Sequence, residues 1–231
     1  MCIFRPHDQV IRNSFGILNL TANADPYKGF DALKVPYYNQ LNVPFLYLYN
    51  EPQNRKIESY ERLFVSATTH FAGIPAMYQK FVWQLTVLLN DPAWSNVHYF
   101  VRTNASTFIN IPQLKKALEK LPNTRCYAGS VTFNQFISGT CIILSRDVCH
   151  KLIQRKEGFE LTENDDTAIA NYMKKMGIKM RNLPMKFYIE NQEPSIEELS
   201  SVLHNFPLVR IKNADKALDL QIWKHLVELS L

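Results

Sequence analysis

Tyr99-Phe100-Val101-Arg102-Thr103-Asn104-Ala105-Ser106-Thr107-Phe108-Ile109-Asn110 reads as an apolar strand that stops on small polar side chains. The run Tyr99 to Val101 is expected inside a sheet. A helical pattern from about Ile111 to Leu121 follows, with Ile111, Leu114, Ala117, Leu118 and Leu121 on one face and Pro112 in the first turn. Arg102 to Asn110 is therefore expected at the carboxyl end of a strand, the edge at which open α/β sheets bind ligands.

On either side of this stretch, apolar runs alternate with amphipathic ones. Ser14 to Leu20 reads as a first strand, Phe30 to Leu41 as a helical stretch interrupted by Pro36, Val43 to Tyr49 as a second strand, Glu61 to Ser66 as a short third strand and Ile74 to Leu89 as a strongly apolar helix. After the strand at 97–103 and the helix at 111–121, Arg125 to Gly129 and Phe136 to Leu144 are extended runs with little between them that could form a crossover helix. Ser145-Arg146-Asp147 is expected to cap a helix to about Gln154, and Asn164-Asp165-Asp166 another to Met176 that Gly177 closes. Ile178 to Leu183 and Lys186 to Glu190 read as short strands, Glu193 to Ser201 as a polar loop, and Ala217 to Leu229 as a closing amphipathic helix. The expected class is α/β, with a central mixed, mostly parallel sheet flanked by helices.

At 231 residues and 46% apolar composition, with no long polar linker, the chain is expected to form a single domain around a large core. It has only 7 Gly against 12 Pro, and neither a GxGxxG nor a P-loop pattern, which argues against a Gly-rich phosphate binder. The net charge of +5 is dispersed, and the pairs Lys115-Lys116 and Lys174-Lys175 fall on predicted helices where a solvated face explains them, so nucleic acid is not the expected partner. The remaining positive charge suits an anionic substrate such as a nucleotide diphosphate. Cys2, Cys126, Cys141 and Cys149 lack CxxC spacing and are expected as reduced, mostly buried thiols. The six histidines show no HExxH or paired spacing, so no zinc site is expected. Trp83, Trp94 and Trp223 are expected in the core. The N-terminus lacks a signal peptide's apolar stretch and no eighteen apolar residues run together, so no transmembrane segment is expected.

The pattern from Tyr99 to Asn110, followed by a helix, resembles the strand and metal-binding turn of the beta-1,3-galactosyltransferase and Fringe glycosyltransferases. Phe136-Ile137-Ser138-Gly139-Thr140-Cys141-Ile142-Ile143-Leu144-Ser145 resembles that family's aromatic–x–Ser-Gly strand. Asp165-Asp166-Thr167, with Gly177-Ile178 eleven residues beyond Asp166, resembles its acidic pair, helix and Gly-Ile stop. The likeness extends from about Ser66 to Leu183, and Lys80 in the preceding helix also has a counterpart. It implies a glycosyltransferase-A fold, with a nucleotide-binding half at 1–110 and an acceptor-binding half with a C-terminal lid and helix at 111–231. The implied activity is transfer of a sugar from a nucleotide-diphosphate sugar, UDP-sugar by default, to an acceptor hydroxyl on a glycan, glycoprotein or glycolipid, with inversion. Small viral and bacterial members without an anchor have a similar length, which implies a location in the bacterial or virus-infected host cytoplasm.

The implied site begins at the end of the first strand, where Asn19, Leu20, Thr21 and Ala22 would lie near the base and ribose. Arg102, Thr103, Asn104, Ala105, Ser106 and Lys80 would adjoin the nucleotide sugar. In the family the turn carries an Asp-x-Asp signature that holds Mn²⁺ or Mg²⁺; here its three positions are Asn104, Ala105 and Ser106, without a carboxylate. Hard divalent cations need charged oxygen ligands, so the expectation is no required metal, or weakly bound Mn²⁺ or Mg²⁺. Arg210 and Lys212 alternate in a segment read as a lid, and a clamp of fixed cations can stabilise a leaving diphosphate. His204 could replace a family histidine near the metal, or be structural. By resemblance Asp166 matches the family's base and Asp165 its acidic neighbour, while the residues alone also allow a helix cap. Ser138 and Gly139 could shape the acceptor or sugar pocket, or serve a close strand crossing. Two other readings stay open, a catalytically silent glycan- or protein-binding module and one domain of a larger synthase.

Overall fold

The computed structural model describes residues 15–20, 27–50, 62–65, 74–154, 164–191 and 193–231. In chain order the strands are β1 (Phe15–Leu20), β2 (Phe45–Asn50), β3 (Arg62–Val65), β4 (Tyr99–Asn104), β5 (Thr107–Ile109), β6 (Tyr127–Thr132), β7 (Phe136–Ser145), β8 (Met180–Asn182), β9 (Met185–Tyr188) and β10 (Leu208–Ile211). The helices are α1 (Tyr27–Gln40), α2 (Ile74–Leu89), α3 (Ile111–Leu118), α4 (Arg146–Gln154), α5 (Asp165–Lys175), α6 (Ile196–Asn205) and α7 (Lys216–Ser230). Among the described residues no helix is long and apolar enough to cross a membrane.

A seven-stranded sheet has the order β3-β2-β1-β4-β7-β6-β8, and a three-stranded sheet the order β5-β10-β9. The strands from β3 to β4 run parallel, β7 opposes both β4 and β6, and β8 is parallel to β6. This is the mixed, mostly parallel α/β sheet flanked by helices that the sequence pattern leads one to expect.

Because successive side chains of a strand point to opposite faces, each central strand feeds two cores. Phe15, Ile17, Tyr99, Val101, Cys141 and Ile143 pack on one side with α1 and α7, while Leu18, Leu20, Phe100, Ile142 and Leu144 pack on the other with α2, α4 and α5. Cys126, Cys141 and Cys149 are buried free thiols, and burial pushes those of Cys126 and Cys141 up to about 12. Trp94 and Trp223 are core residues, but Trp83 is 38% exposed on α2, against expectation.

Several elements depart from the sequence reading. Pro36 does not interrupt α1: it and Ala32, whose carbonyl it leaves without a helical donor, both face solvent, while Tyr37 and Tyr38 just beyond are fully buried. The polar stretch from Glu193 to Ser201 is not a loop throughout. It contains the start of α6, where the Ser195 hydroxyl accepts the Glu198 amide at 3.2 Å and Leu199 and Val202 turn inward. The segment holding Arg210 is not a lid, because β10 is paired on both sides, antiparallel to β5 and parallel to β9. The Gly177 stop is as expected: with φ at +64°, its amide donates to Lys174 and that of Ile178 to Met173, a Schellman closure.

Candidate functional site

By strand alternation Phe100, Arg102 and Asn104 share one face of β4; Phe100 packs in the core lined by α2, α4 and α5, and Arg102 meets Asp165 at the start of α5. A strand rises about 3.3 Å per residue, so Arg102 and Asn104 stand about 7 Å apart along that face. Each anchors a different cluster.

The first cluster joins β4, β7 and α5. Arg102 is 2% exposed and its guanidinium forms a salt bridge from Nη2 to Asp165 Oδ2 and donates from Nη1 to the Gly139 carbonyl. Its Nε is buried without a hydrogen-bond partner. The Gly139 amide donates to Asp166 Oδ2 at 3.0 Å, and the Thr167 amide donates to Asp166 Oδ1 at 2.9 Å. A methyl group on Gly139 would lie 2.6 Å from Arg102 Nη1, so a larger residue here would force the guanidinium to shift. Neither acid is the N-cap. That position is Asn164, whose side chain makes no capping bond. Asp165 is consumed by Arg102, whereas half-buried Asp166 is held by two backbone amides and each oxygen keeps lone-pair capacity for another donor. Ser138 lies beside this corner and accepts the Thr140 amide at 3.3 Å.

The second cluster is the turn between β4 and β5. Asn104 Oδ1 accepts from Arg210 Nη1 at 2.6 Å, from Thr107 Oγ1 at 2.8 Å and from Ser106 Oγ at 3.5 Å. Arg210 reaches it because Arg210 is paired with Thr107 across β10 and β5, and the Ile211 amide donates to the Ser106 carbonyl. Behind the turn lies Lys34 of α1, fully buried, which donates at 3.0 Å to Asn19 Oδ1 and at 3.0 Å to the Asn104 carbonyl. Its ammonium sits 5.0 Å from the Trp223 ring centre, and Asn19 Nδ2 donates to buried Asp31 at 3.4 Å. Burial brings Lys34 down to about 7 from 10.5, with Asp31 opposing the shift and the Arg210 charge adding to it. Burial likewise lowers Arg210 to about 10, opposed by Asp219 and Tyr27 and reinforced by Arg102, so it remains cationic at neutral pH.

The other candidates fall differently. Thr103 is buried with its hydroxyl on the Thr140 carbonyl at 3.1 Å, and Leu20 and Ala105 are core residues, so these three offer a ligand no free polar side-chain group. Lys212 is exposed just past the end of β10, its amide still donating to the Tyr188 carbonyl at 2.9 Å. His204 is exposed on α6 with Nδ1 2.8 Å from the Ser200 carbonyl of its own helix. Thr21 and Ala22 lie outside the described residues, as does the side chain of Lys80. Lys34 and Asp31 were missed by the sequence reading. Their signal is their position among Phe30, Tyr37 and Tyr38 on the buried face of α1, where a charged residue needs a reason to be.

The turn does not fit a divalent cation. It offers an amide oxygen already taken by three donors, one of them a guanidinium, together with a methyl and a hydroxyl group. Among the described residues no group of three or more His, Cys, Asp or Glu could hold a metal ion.

The sequence matches no protein-family model and no curated protein. The fold is similar to that of a solved glycosyltransferase involved in the glycosylation of the major capsid of PBCV-1. That match has a TM-score of 0.52 and 10% sequence identity, covering 90% of this chain and 98% of the other.

Proposed function

We propose that the protein is a glycosyltransferase that moves a sugar from a nucleotide-diphosphate sugar, UDP-sugar by default, to an acceptor hydroxyl of a glycan, glycoprotein or glycolipid. The observation that carries this reading is the near full-length likeness of the fold to a glycosyltransferase. The two clusters on one face of β4 give the likeness a chemical content. An acceptor oxygen attacks the anomeric carbon, the bond from that carbon to the diphosphate oxygen breaks, the nucleoside diphosphate departs, and the acceptor proton passes to the Asp166 carboxylate. Attack from the side opposite the leaving group inverts the anomeric centre. The Gly139 and Thr167 amides fix the carboxylate for this task, and Arg102 compensates the neighbouring charge of Asp165.

A silent binding module is the alternative, favoured by the absence of carboxylates at Asn104, Ala105 and Ser106. The test is incubation of the purified protein with UDP- and GDP-sugars while following release of UDP or GDP, with and without a glycan acceptor mixture. Release above the spontaneous rate is expected. Tight nucleotide binding without any release, across all the common donor sugars and acceptors, would instead establish the silent module.

A further inference from the structure

The family resembled by the sequence uses a divalent cation at this turn, and the donor set found here does not fit one. Resting on the nucleotide-sugar reading above, we propose that Arg210, seated on the Asn104 turn with Lys34 behind it, supplies the positive charge for the donor's diphosphate that the fold family takes from a metal ion.

The geometry supports a built-in cation. Arg210 Nη1 binds Asn104 Oδ1, the side-chain oxygen at the first position of the replaced signature, at 2.6 Å. The strand pairing of Arg210 with Thr107 fixes the backbone from which the guanidinium extends, and the second contact of Nη1, to Thr107 Oγ1 at 3.4 Å, fixes its direction. Arg210 is only half-buried, and these contacts use one of its nitrogens, which leaves further N–H groups of a planar fork suited to phosphate oxygens. Lys34 is too deeply buried to touch the ligand. It is a positioning residue that ties the Asn104 carbonyl to Asn19 at the end of β1, and its charge adds to the field of Arg210 from below. The hydrogen bonds of Arg210 go to neutral oxygens, so a bound anion would add a direct ionic partner. A divalent ion at the same turn would meet Arg210 as a like charge and find no carboxylate.

The experiment is calorimetric titration of the full chain with UDP and with GDP, in excess EDTA and in Mn²⁺ or Mg²⁺. Binding of one of these nucleotides is expected to be equally tight under all conditions. Arg210→Met, which keeps the packing and removes the charge, should weaken it by about 10- to 100-fold, the range of hydrogen bonds to charged groups. Arg210→Lys should recover part of the loss. Asn104→Asp should weaken binding without creating metal dependence, because the new carboxylate would pair with Arg210. Binding that requires Mn²⁺ or Mg²⁺, or unchanged affinity in a folded Arg210→Met protein, would overturn the proposal and leave the transferase reading standing. If Arg210→Met does not fold, the Arg210→Lys and Asn104→Asp titrations decide: unchanged affinity in both counts against the proposal. Failure of UDP and GDP to bind under any condition would overturn both.

Discussion

The two clusters anchored on β4, at Arg102 and at Asn104, solve the burial of charge in opposite ways. At Arg102 the charge is closed internally by Asp165 and the Gly139 carbonyl, and Asp166 is held by amides beside it. At Asn104 the cations Arg210 and Lys34 rest on amide, carbonyl and hydroxyl oxygens, while Asp31 and Asp219 act on them through space. A buried charge that already has its counter-charge is a framework. A half-buried guanidinium whose hydrogen bonds go to neutral oxygens can still take an anion as a direct partner. Under the proposed function the first cluster would hold a base and the second the negative part of a donor, with Arg102 and Asn104 about 7 Å apart along one strand.

The acid pair gives the largest contrast. Asp166→Asn should reduce the transfer rate by about 10²- to 10⁴-fold, the usual contribution of a general base, with nucleotide affinity nearly intact. Its stability should fall by about 1–3 kcal/mol, because an amide nitrogen would face one of the two backbone N–H donors now bound by the carboxylate. Asp165→Asn should do the reverse in kind, costing about 3–5 kcal/mol in urea unfolding by leaving the buried Arg102 charge unpaired. If Asp165→Asn unfolds no more easily than Asp166→Asn, the framework role is wrong; if Asp166→Asn keeps full activity, the base lies elsewhere.

Local signals in the sequence located the first cluster well. The acidic pair, the α5 helix and the Gly177-Ile178 stop are written within fourteen consecutive residues, Asp165 to Ile178, and Ser138-Gly139 marks the strand that crosses them. The second cluster depends on pairing between distant segments. The contact of Asn104 with Arg210 spans 106 residues and that of Lys34 with the Asn104 carbonyl spans 70, and no periodicity encodes either. The three-residue β5 has too little length to show alternation, and it is a strand only because β10 lies against it. Arg210 could therefore be singled out as a candidate cation for a diphosphate, but its segment reads as a lid where the structure has a strand paired on both sides. By contrast α6 was legible and overlooked, since Ser195 followed three residues later by Glu198 is a helix-start pattern and Leu199, Val202 and Leu203 keep helical spacing.

Gly139 sharpens the first half of the comparison at intermediate cost. Gly139→Ala puts a methyl 2.6 Å from Arg102 Nη1 and should destabilise by about 1–3 kcal/mol through overpacking. A shift of the Arg102 guanidinium or of the Gly139 backbone would disturb the amide that holds Asp166 Oδ2, so the transfer rate should fall while binding of UDP or GDP at the other cluster is unchanged. Loss of nucleotide affinity in this variant would show that the two clusters are not separable.

The smallest effect is carried by Lys34 and is read from stability against pH. Burial holds its folded pKa near 7, below the unfolded 10.5, so between these values the unfolded chain binds more protons than the folded one. Stability contributed by this group therefore rises as pH climbs through 7 towards 10.5, and the full penalty of burying the ammonium is present below 7. The slope can reach at most about 1.4 kcal/mol per pH unit. Lys34→Met should flatten that rise, measured as the urea midpoint at pH 7 and pH 8. A saturating anion at Arg210 stabilises the ammonium and moves its titration upward, so in the unsubstituted protein bound UDP or GDP should also flatten the slope between pH 7 and 8. Equal slopes for the protein and Lys34→Met would mean that Lys34 does not titrate in this range and that its burial does not lower its pKa as far as 7.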